Sequence, residues 1–195
     1  MTNILPEDIN SLLPQTQCKL CTYNGCLPYA EAIVDHGEKT HLCQPGGLDV
    51  YKKIQKTLNR AQTKEAIDAI HTYDSLPHIV SINLDECIGC TKCLPACPVD
   101  AIVGAPKSTH HIIDEACTGC DLCIPTCPVD CITIKPSEKL PERSFLLNQY
   151  NTKENRKAEK TAQRTAKLDN AINKISNSSN DIIAQALERA RKKRQ

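Results

Sequence analysis

The chain has 195 residues, of which only 3% are aromatic, with one Phe, five Tyr and no Trp. A chain of this length holds one or two small domains, and so few large side chains exclude a core built on aromatic packing. No stretch of eighteen apolar residues occurs, so the sequence predicts no membrane-spanning helix. Thirteen cysteines are present instead, and we expect metal–thiolate bonds to supply much of the folding energy.

Charge is divided unevenly along the chain, although the formal net charge is only +1. Residues 151–195 carry twelve Lys or Arg against five Asp or Glu, which leaves residues 1–150 with twelve against eighteen. The sequence therefore predicts an acidic body and a basic tail. An acidic surface favours encounter with basic docking sites on redox partner proteins, without identifying one of them.

The first part of the chain places four cysteines around a predicted helix. A short amphipathic helix is expected over residues 3–13, and a second begins near Pro28 and stops at Gly37. The second helix returns the chain so that the fourth thiol can complete a four-sulfur site. A 4Fe-4S cluster and a zinc ion both fit four thiolates at this spacing, and both stay open. The four candidate ligands are Cys18, Cys21, Cys26 and Cys43.

A helical connector is predicted next, over residues 48–73, and four short strands follow it. The strands are expected at residues 78–82, 101–103, 110–114 and 131–134, around two cysteine-rich loops. Two strand–loop–strand halves make a compact α+β unit with internal pseudo-twofold symmetry.

The two loops carry the same cysteine pattern thirty residues apart, CIGCTKCLPACP at 87–98 and CTGCDLCIPTCP at 117–128. Each copy separates its cysteines by two, two and three residues and ends in proline, which is the pattern of bacterial ferredoxins with cubane clusters. In that pattern the fourth cysteine of each run binds the cluster of the other run. We predict one 4Fe-4S cluster on Cys87, Cys90, Cys93 and Cys127. We predict a second on Cys97, Cys117, Cys120 and Cys123.

Aligning the two copies gives expectations for the residues beside the ligands. Gly89 and Gly119 occupy the same place, where the lack of a side chain lets the backbone approach the inorganic sulfur. Cys131 stands where the first copy has alanine, so a small buried packing role is expected for it. His110 and His111 are expected to be exposed loop residues.

Four parts are predicted in this α+β chain. They are a small helical iron–sulfur domain (1–59), a helical connector (60–77), a two-cluster ferredoxin fold (78–136) and a helical or disordered basic tail (137–195). An apolar patch at 145–147 can pack back on the body. The basic cluster RARKKR near the end fits anionic lipid or nucleic acid, but it lacks the aromatic residues that stack on bases, so no nucleic-acid partner is expected.

The order of these motifs resembles the B subunit of the Rnf (Rsx) electron-transport complex. The resemblance covers about residues 12–135 and rests on LLPQTQC, on CKLCTYNGC with a later cysteine before QPGG, and on the two ferredoxin runs. It implies that the N-terminal four cysteines bind a third 4Fe-4S cluster. It also implies that the redox partners are other subunits of such a complex, and a cytoplasmic location, peripheral on the inner face of the inner membrane.

Three features depart from this family. Its B subunit usually begins with a membrane-spanning helix, whereas this chain begins at the part expected to be soluble. Lys19 and Thr22 stand where the family usually has glycine after the first and second cysteines, which affects the hydrogen bonds to sulfur. The long basic tail after residue 137 lies outside the resemblance.

The predicted function is the relay of single electrons through up to three clusters. No general base, activated nucleophile or nucleotide-binding loop is visible, so no small-molecule substrate is expected. One alternative is a freestanding ferredoxin-like carrier for cytosolic oxidoreductases. Another, from a different class, is a zinc-stabilised interaction module that uses the basic tail.

Overall fold

We describe the chain from a computed structural model, which covers residues 4–71, 77–137 and 140–192. The chain forms two compact units, Met1–Asn151 and Thr152–Gln195. The first combines helices with small sheets, and the second is helical. No described helix is both long enough and apolar enough to cross a lipid bilayer.

Four helices form the N-terminal part of the first unit. They are α1 (Pro6–Asn10), α2 (Cys26–Asp35), α3 (Gly47–Thr57) and α4 (Lys64–His71). Helix α1 is shorter than the predicted 3–13 and has Pro6 in its first turn. The predicted connector is two helices rather than one, because the chain turns between them at Asn59, whose φ is 50°. The last two residues of the predicted 48–73 connector, 72 and 73, lie outside the described residues.

The core of these helices is small and includes one buried tyrosine. Ile9, Ile33 and Ile54 are fully buried between α1, α2 and α3, together with Tyr29. The Tyr29 hydroxyl donates to the Lys39 carbonyl oxygen at 2.7 Å and accepts from the Leu42 backbone N–H at 3.1 Å. These two bonds fix the loop that leads into Cys43.

Four strands surround the two cysteine runs, with one short helix, α5 (Cys93–Ala96), in the first run. The strands are β1 (His78–Ile82), β2 (Ile102–Val103), β3 (His111–Ile112) and β4 (Ile132–Pro136). Strand β1 pairs antiparallel with β4, and β2 pairs antiparallel with β3. Each sheet therefore joins a strand that precedes one cysteine run to a strand that follows the other run. Neither strand–loop–strand half can form a sheet without the other half.

The core under these sheets is made partly of thiols. In the described ranges it contains thirteen buried residues, of which five are cysteines. Most of the aliphatic surface comes from β1, β2 and β4, through Ile79, Val80, Ile82, Ile102 and Ile132. Because the apolar area is so limited, folding of this part depends on what the cysteines bind.

The basic tail was predicted to be helical or disordered. In the structure, helix α6 (Arg143–Lys192) occupies most of it. In the first unit, Arg143 Nη1 donates to the Leu12 carbonyl oxygen at 3.1 Å, and Leu146 is 1% exposed. The predicted apolar patch therefore packs through Leu146, while Phe145 stays 40% exposed. In the second unit, the side chains of residues 155–175 are exposed.

Candidate metal centres

Each of three cavities is lined by four of the predicted ligand cysteines, one of the three is also lined by Cys131, and none of the thirteen cysteines takes part in a disulfide. The three cavities are small and of similar size. The N-terminal site is lined by Cys18, Cys21, Cys26 and Cys43. The first ferredoxin site is lined by Cys87, Cys90, Cys93 and Cys127. The second ferredoxin site is lined by Cys97, Cys117, Cys120 and Cys123. Their near-equal size is what three copies of one occupant require.

Buried glutamines shape the N-terminal site. Gln15 and Gln17 are 1% and 3% exposed, and Gln17 donates to Gln15 Oε1 at 3.0 Å. The Gln15 amide donates to the Asn10 carbonyl oxygen at 2.6 Å, which connects this pair to the end of α1. Gln17 Oε1 in turn accepts the backbone N–H of Cys26 at 2.9 Å, at the first residue of α2. No sequence motif predicts this network, because it depends on contacts between residues that follow no fixed spacing.

Lys19 and Thr22 both adopt left-handed backbone conformations. They stand where the family that the sequence resembles usually has glycine. Their φ angles are 62° and 73°. This region costs a residue with a Cβ about 1–2 kcal/mol, and it is least favourable for a β-branched residue such as threonine. The departure from the family pattern therefore leaves the turn in place, at a cost in backbone strain.

The glycines of the ferredoxin runs are also required by the backbone around them, while the predicted approach to inorganic sulfur stays a prediction. Gly89 and Gly119 have φ angles of 65° and 64°, which favour glycine. A Cβ at Gly89 would come within 2.6 Å of the Ser108 backbone nitrogen, and a Cβ at Gly119 would overlap the carbonyl oxygen of His78. Both glycines thus allow close approach by the protein's own backbone.

Backbone N–H groups donate to sulfurs of the two ferredoxin sites. The Ala101 N–H donates to Cys97 Sγ at 3.2 Å, and the His110 N–H donates to Cys87 Sγ at 3.4 Å. Beside the second site, His78 Nε2 pairs with Asp121 at 2.9 Å, which ties β1 to the residue that follows Cys120. Such bonds hold the loops in a shape suited to sulfur ligands and tune the electronics of what they bind.

Burial makes these thiols reluctant to ionise on their own. Desolvation raises the pKa of Cys26 and Cys120 to about 11, and the pKa of Cys43 and Cys123 to about 12. At neutral pH such thiols therefore stay protonated unless a bound cation compensates the thiolate charge. These four thiols are therefore stable as thiolates only when a metal is bound to them.

The arrangement fits a cubane cluster. A 4Fe-4S group takes one thiolate on each of its four irons, so four cysteines must surround a body rather than meet at a point. In the described ranges, no group of three or more His, Cys, Asp or Glu side chains is placed to hold a single metal ion. The sulfurs line cavities instead, in all three sites.

Two of the three sites are direct neighbours across a fourth cavity. Cys18 of the N-terminal site and Cys120 of the second ferredoxin site both line it, with Leu20, Thr118 and His78. The two ferredoxin sites are joined through the chain itself, because each cysteine run contributes to both of them. The second ferredoxin site therefore lies next to each of the others.

One expectation from the sequence is wrong. His110 was expected in an exposed loop, yet it is 1% exposed and lies against Cys87 and Cys93. The repeat itself carries the missed signal, since His110 aligns with Val80 thirty residues earlier, a buried position of β1. His111 is exposed as expected. Cys131 is buried as expected, but its sulfur lies only 3.4 Å from that of Cys127.

Two family models match the chain. One, described as "4Fe-4S dicluster domain", matches residues 80–134, and the other, described as "Putative Fe-S cluster", matches residues 13–45. Together they cover all thirteen cysteines that line the cavities. The second match favours iron–sulfur over zinc at the N-terminal site.

Curated relatives, each named as the B subunit of an ion-translocating oxidoreductase complex, extend this result. The chain is 46% identical over 109 residues to the protein of Buchnera aphidicola subsp. Acyrthosiphon pisum (strain Tuc7), a match that covers 56% of this chain and 65% of that protein. It is 50% identical over 108 residues to the protein of Alcanivorax borkumensis, covering 55% and 54%. The chain is a homologue of these B subunits. The match to a third relative, of Pseudomonas aeruginosa (strain LESB58), is 50% over 107 residues and covers 54% of that protein. The match to these B subunits thus spans between about half and two-thirds of their length.

Proposed function

We propose that the chain relays single electrons through three 4Fe-4S clusters, one in each four-cysteine cavity. The observation that carries the proposal is the set of three cavities of similar size, each lined by four of the predicted ligand cysteines. The proposed ligands are the cysteines given above for each site, including the exchanged pair Cys97 and Cys127. Bound clusters supply reversible one-electron chemistry at iron and sulfur.

The chain's own residues position and insulate the clusters. The described loops place thiols at the cavity walls, backbone N–H groups of Ala101 and His110 donate to sulfur, and aliphatic side chains of β1 and β4 exclude water. The shared cavity between Cys18 and Cys120 supports a relay in which the second ferredoxin site stands between the other two.

We propose further that the chain works as the B subunit of an Rnf-type complex, with other subunits of that complex as redox partners. This proposal rests on relatives named as subunits of an ion-translocating oxidoreductase complex. Movement of ions would then be the task of other subunits, and this chain would pass electrons to them.

Electron counting tests the relay. Anaerobically prepared protein is titrated with dithionite while its visible absorption and EPR spectra are recorded. The expected result is uptake of about three electrons per chain, one per cubane, and about two after Cys43→Ser. Uptake of no electrons would overturn the proposal. Membership of a complex is tested separately by affinity purification from the source cells: co-purification of other complex subunits supports it, and recovery of the chain alone supports a freestanding carrier.

A further inference from the structure

The two ferredoxin sites are lined by matched residues thirty positions apart, so their differences can be identified position by position. Ile82 and Ile132 at the first site correspond to Ile112 and Ile102 at the second. The matched positions with different chemistry are the following. Val80 and Ala101 at the second site are replaced at the first by His110 and Cys131, and Thr118 at the second site is replaced at the first by Ile88.

His110 brings a hydrogen-bond donor to the first site. Its Nδ1 lies 3.7 Å from Cys87 Sγ and 3.6 Å from Cys93 Sγ. A ligand thiolate only accepts hydrogen bonds, so the proton of the imidazole stands on Nδ1 when the site is filled. Its other nitrogen, Nε2, is buried and has no hydrogen-bond partner among the described residues. In the described part of the chain, the polar contacts of the ring are therefore those of Nδ1 with sulfur.

Gly104, which has no side chain, leaves room for the ring of His110. The β2–β3 register pairs Ile102 with Ile112 and Val103 with His111, so the next pair outward is Gly104 with His110. A Cβ at Gly104 would overlap Cδ2 of His110. At the second site the equivalent pair in the β1–β4 register is Val80 with Ile134. The first site therefore has a small residue opposite a polar ring, where the second site has two aliphatic side chains.

Cys131 brings the second donor. Its sulfur lies 3.4 Å from Cys127 Sγ, and the side chain is 2% exposed. Cys127 is a proposed ligand and so a thiolate when the cluster is bound, which leaves Cys131 as the donor of an S–H···S bond. The matched residue at the second site, Ala101, has only a methyl group at this place.

The second ferredoxin site has fewer side-chain donors beside its sulfurs than the first. Thr118 Oγ1 is buried beside Cys120 and is the side-chain donor to that sulfur, whereas the first site has both His110 and Cys131 beside its sulfurs. Three of the four cysteines at the second site are buried, against one of the four at the first. Water and hydrogen bonds both stabilise the more negative, reduced cluster, so both differences act in the same direction.

We infer that His110 and Cys131 make the first ferredoxin site the higher-potential one of the pair, so that an electron shared between the two resides on the cluster held by Cys87, Cys90, Cys93 and Cys127. The inference rests on the proposed function, since it requires clusters in both sites. His110 and Cys131 are positioning residues that act through the ligand sulfurs.

The experiment is a redox titration of the full chain followed by EPR. The variants are His110→Val, the double variant His110→Val with Gly104→Ile, which reproduces the pair of the second site, and Cys131→Ala, which reproduces Ala101. Each is expected to lower the midpoint potential of the same single centre. Loss of one hydrogen bond should change its ratio of reduced to oxidised cluster about tenfold at fixed potential, or about 59 mV for a one-electron couple. Thr118→Val is the matched control and should leave that centre unchanged.

A second measurement uses the Cys43→Ser chain, in which only the two ferredoxin clusters are expected to remain. This chain, grown with ¹⁵N-histidine and partly reduced, should show a nitrogen hyperfine coupling on the centre that is reduced first. If clusters are present and neither His110→Val nor Cys131→Ala moves a potential, or if the first-reduced centre has no histidine coupling, the inference is wrong while the proposed function stands. If the chain binds no iron, both are wrong.

Discussion

Cys97 and Cys127 exchange sites: each ends one cysteine run and lines the cavity formed by the other run. We therefore predict that Cys97→Ala damages the centre whose remaining ligands lie thirty residues downstream. Its EPR spectrum should match that of Cys120→Ala, while the spectrum of Cys127→Ala should match that of Cys90→Ala. Each variant should lose one cluster, about four irons per chain. A match between Cys97→Ala and Cys90→Ala would contradict the exchange.

Backbone strain at the N-terminal site predicts stabilising substitutions. Thr22 has a φ of 73° and Lys19 a φ of 62°. Thr22→Gly removes the conformational strain and should stabilise the loaded protein by about 1 kcal/mol, less the extra entropy of glycine in the unfolded chain. Thermal unfolding under anaerobic conditions measures the change, with Thr22→Ala as the matched control that keeps a Cβ. A midpoint for Thr22→Gly at or below that of Thr22→Ala would argue against strain at this position.

Two glycines with similar backbone angles predict very different costs of substitution. Gly119 and Gly37 have φ angles of 64° and 68°, but a Cβ at Gly119 overlaps the His78 carbonyl oxygen, whereas a Cβ at Gly37 meets nothing within 4 Å among the described residues. Gly37→Ala should therefore cost only the left-handed conformation, about 1 kcal/mol. Gly119→Ala should cost several times as much, because β1 must move to admit it, and should lower cluster retention at the second ferredoxin site. Equal costs in unfolding and iron-retention assays would contradict the close approach.

The buried thiols of the N-terminal site predict a pH dependence. Burial raises the pKa of Cys26 to about 11 and that of Cys43 to about 12, from an ordinary value of 9.0. In the metal-free chain this preference for the protonated form stabilises the fold below about pH 9, and the contribution is lost as pH rises through the raised values. Cluster binding requires thiolates, so the rate of anaerobic reconstitution should increase between about pH 7 and pH 9. A Cys26→Ser, Cys43→Ser chain serves as the control, and a difference between the two chains that does not change with pH would contradict the mechanism.

Removal of iron should unfold the ferredoxin part of the first unit. Its core has five cysteines among thirteen buried residues, and the strands are only two to five residues long. A chelator with a reductant should therefore abolish protection of the β1 and β4 amides from hydrogen exchange. Retention of that protection after complete iron loss would show that the aliphatic core is sufficient.

The cysteine spacing predicted the most about this molecule. The structure gathers the same three sets of four cysteines around three cavities, and cluster ligation itself stays a prediction. Strand β1 has the predicted bounds, and helix α2 begins two residues before the expected Pro28. The predicted division into 1–59, 60–77, 78–136 and 137–195 also stays a prediction.

What the sequence could not provide were contacts without periodicity. The pairing of His110 with Gly104 depends on the strand register, although the burial of His110 could have been predicted from its alignment with Val80, and the Gln15–Gln17 network follows no motif. The break of the predicted connector at Asn59 depends on a single left-handed residue, which helix periodicity on either side does not reveal. The role of Gly119 likewise depended on which backbone passes beside it, here the carbonyl of His78.

Chemical analysis of iron, acid-labile sulfide and zinc in the anaerobically purified full chain tests the central claim most directly. Three cubane clusters predict about twelve iron and twelve sulfide per chain, four of each per cluster, in a brown protein with an EPR signal after reduction. A colourless protein that carries zinc and no sulfide would contradict the account.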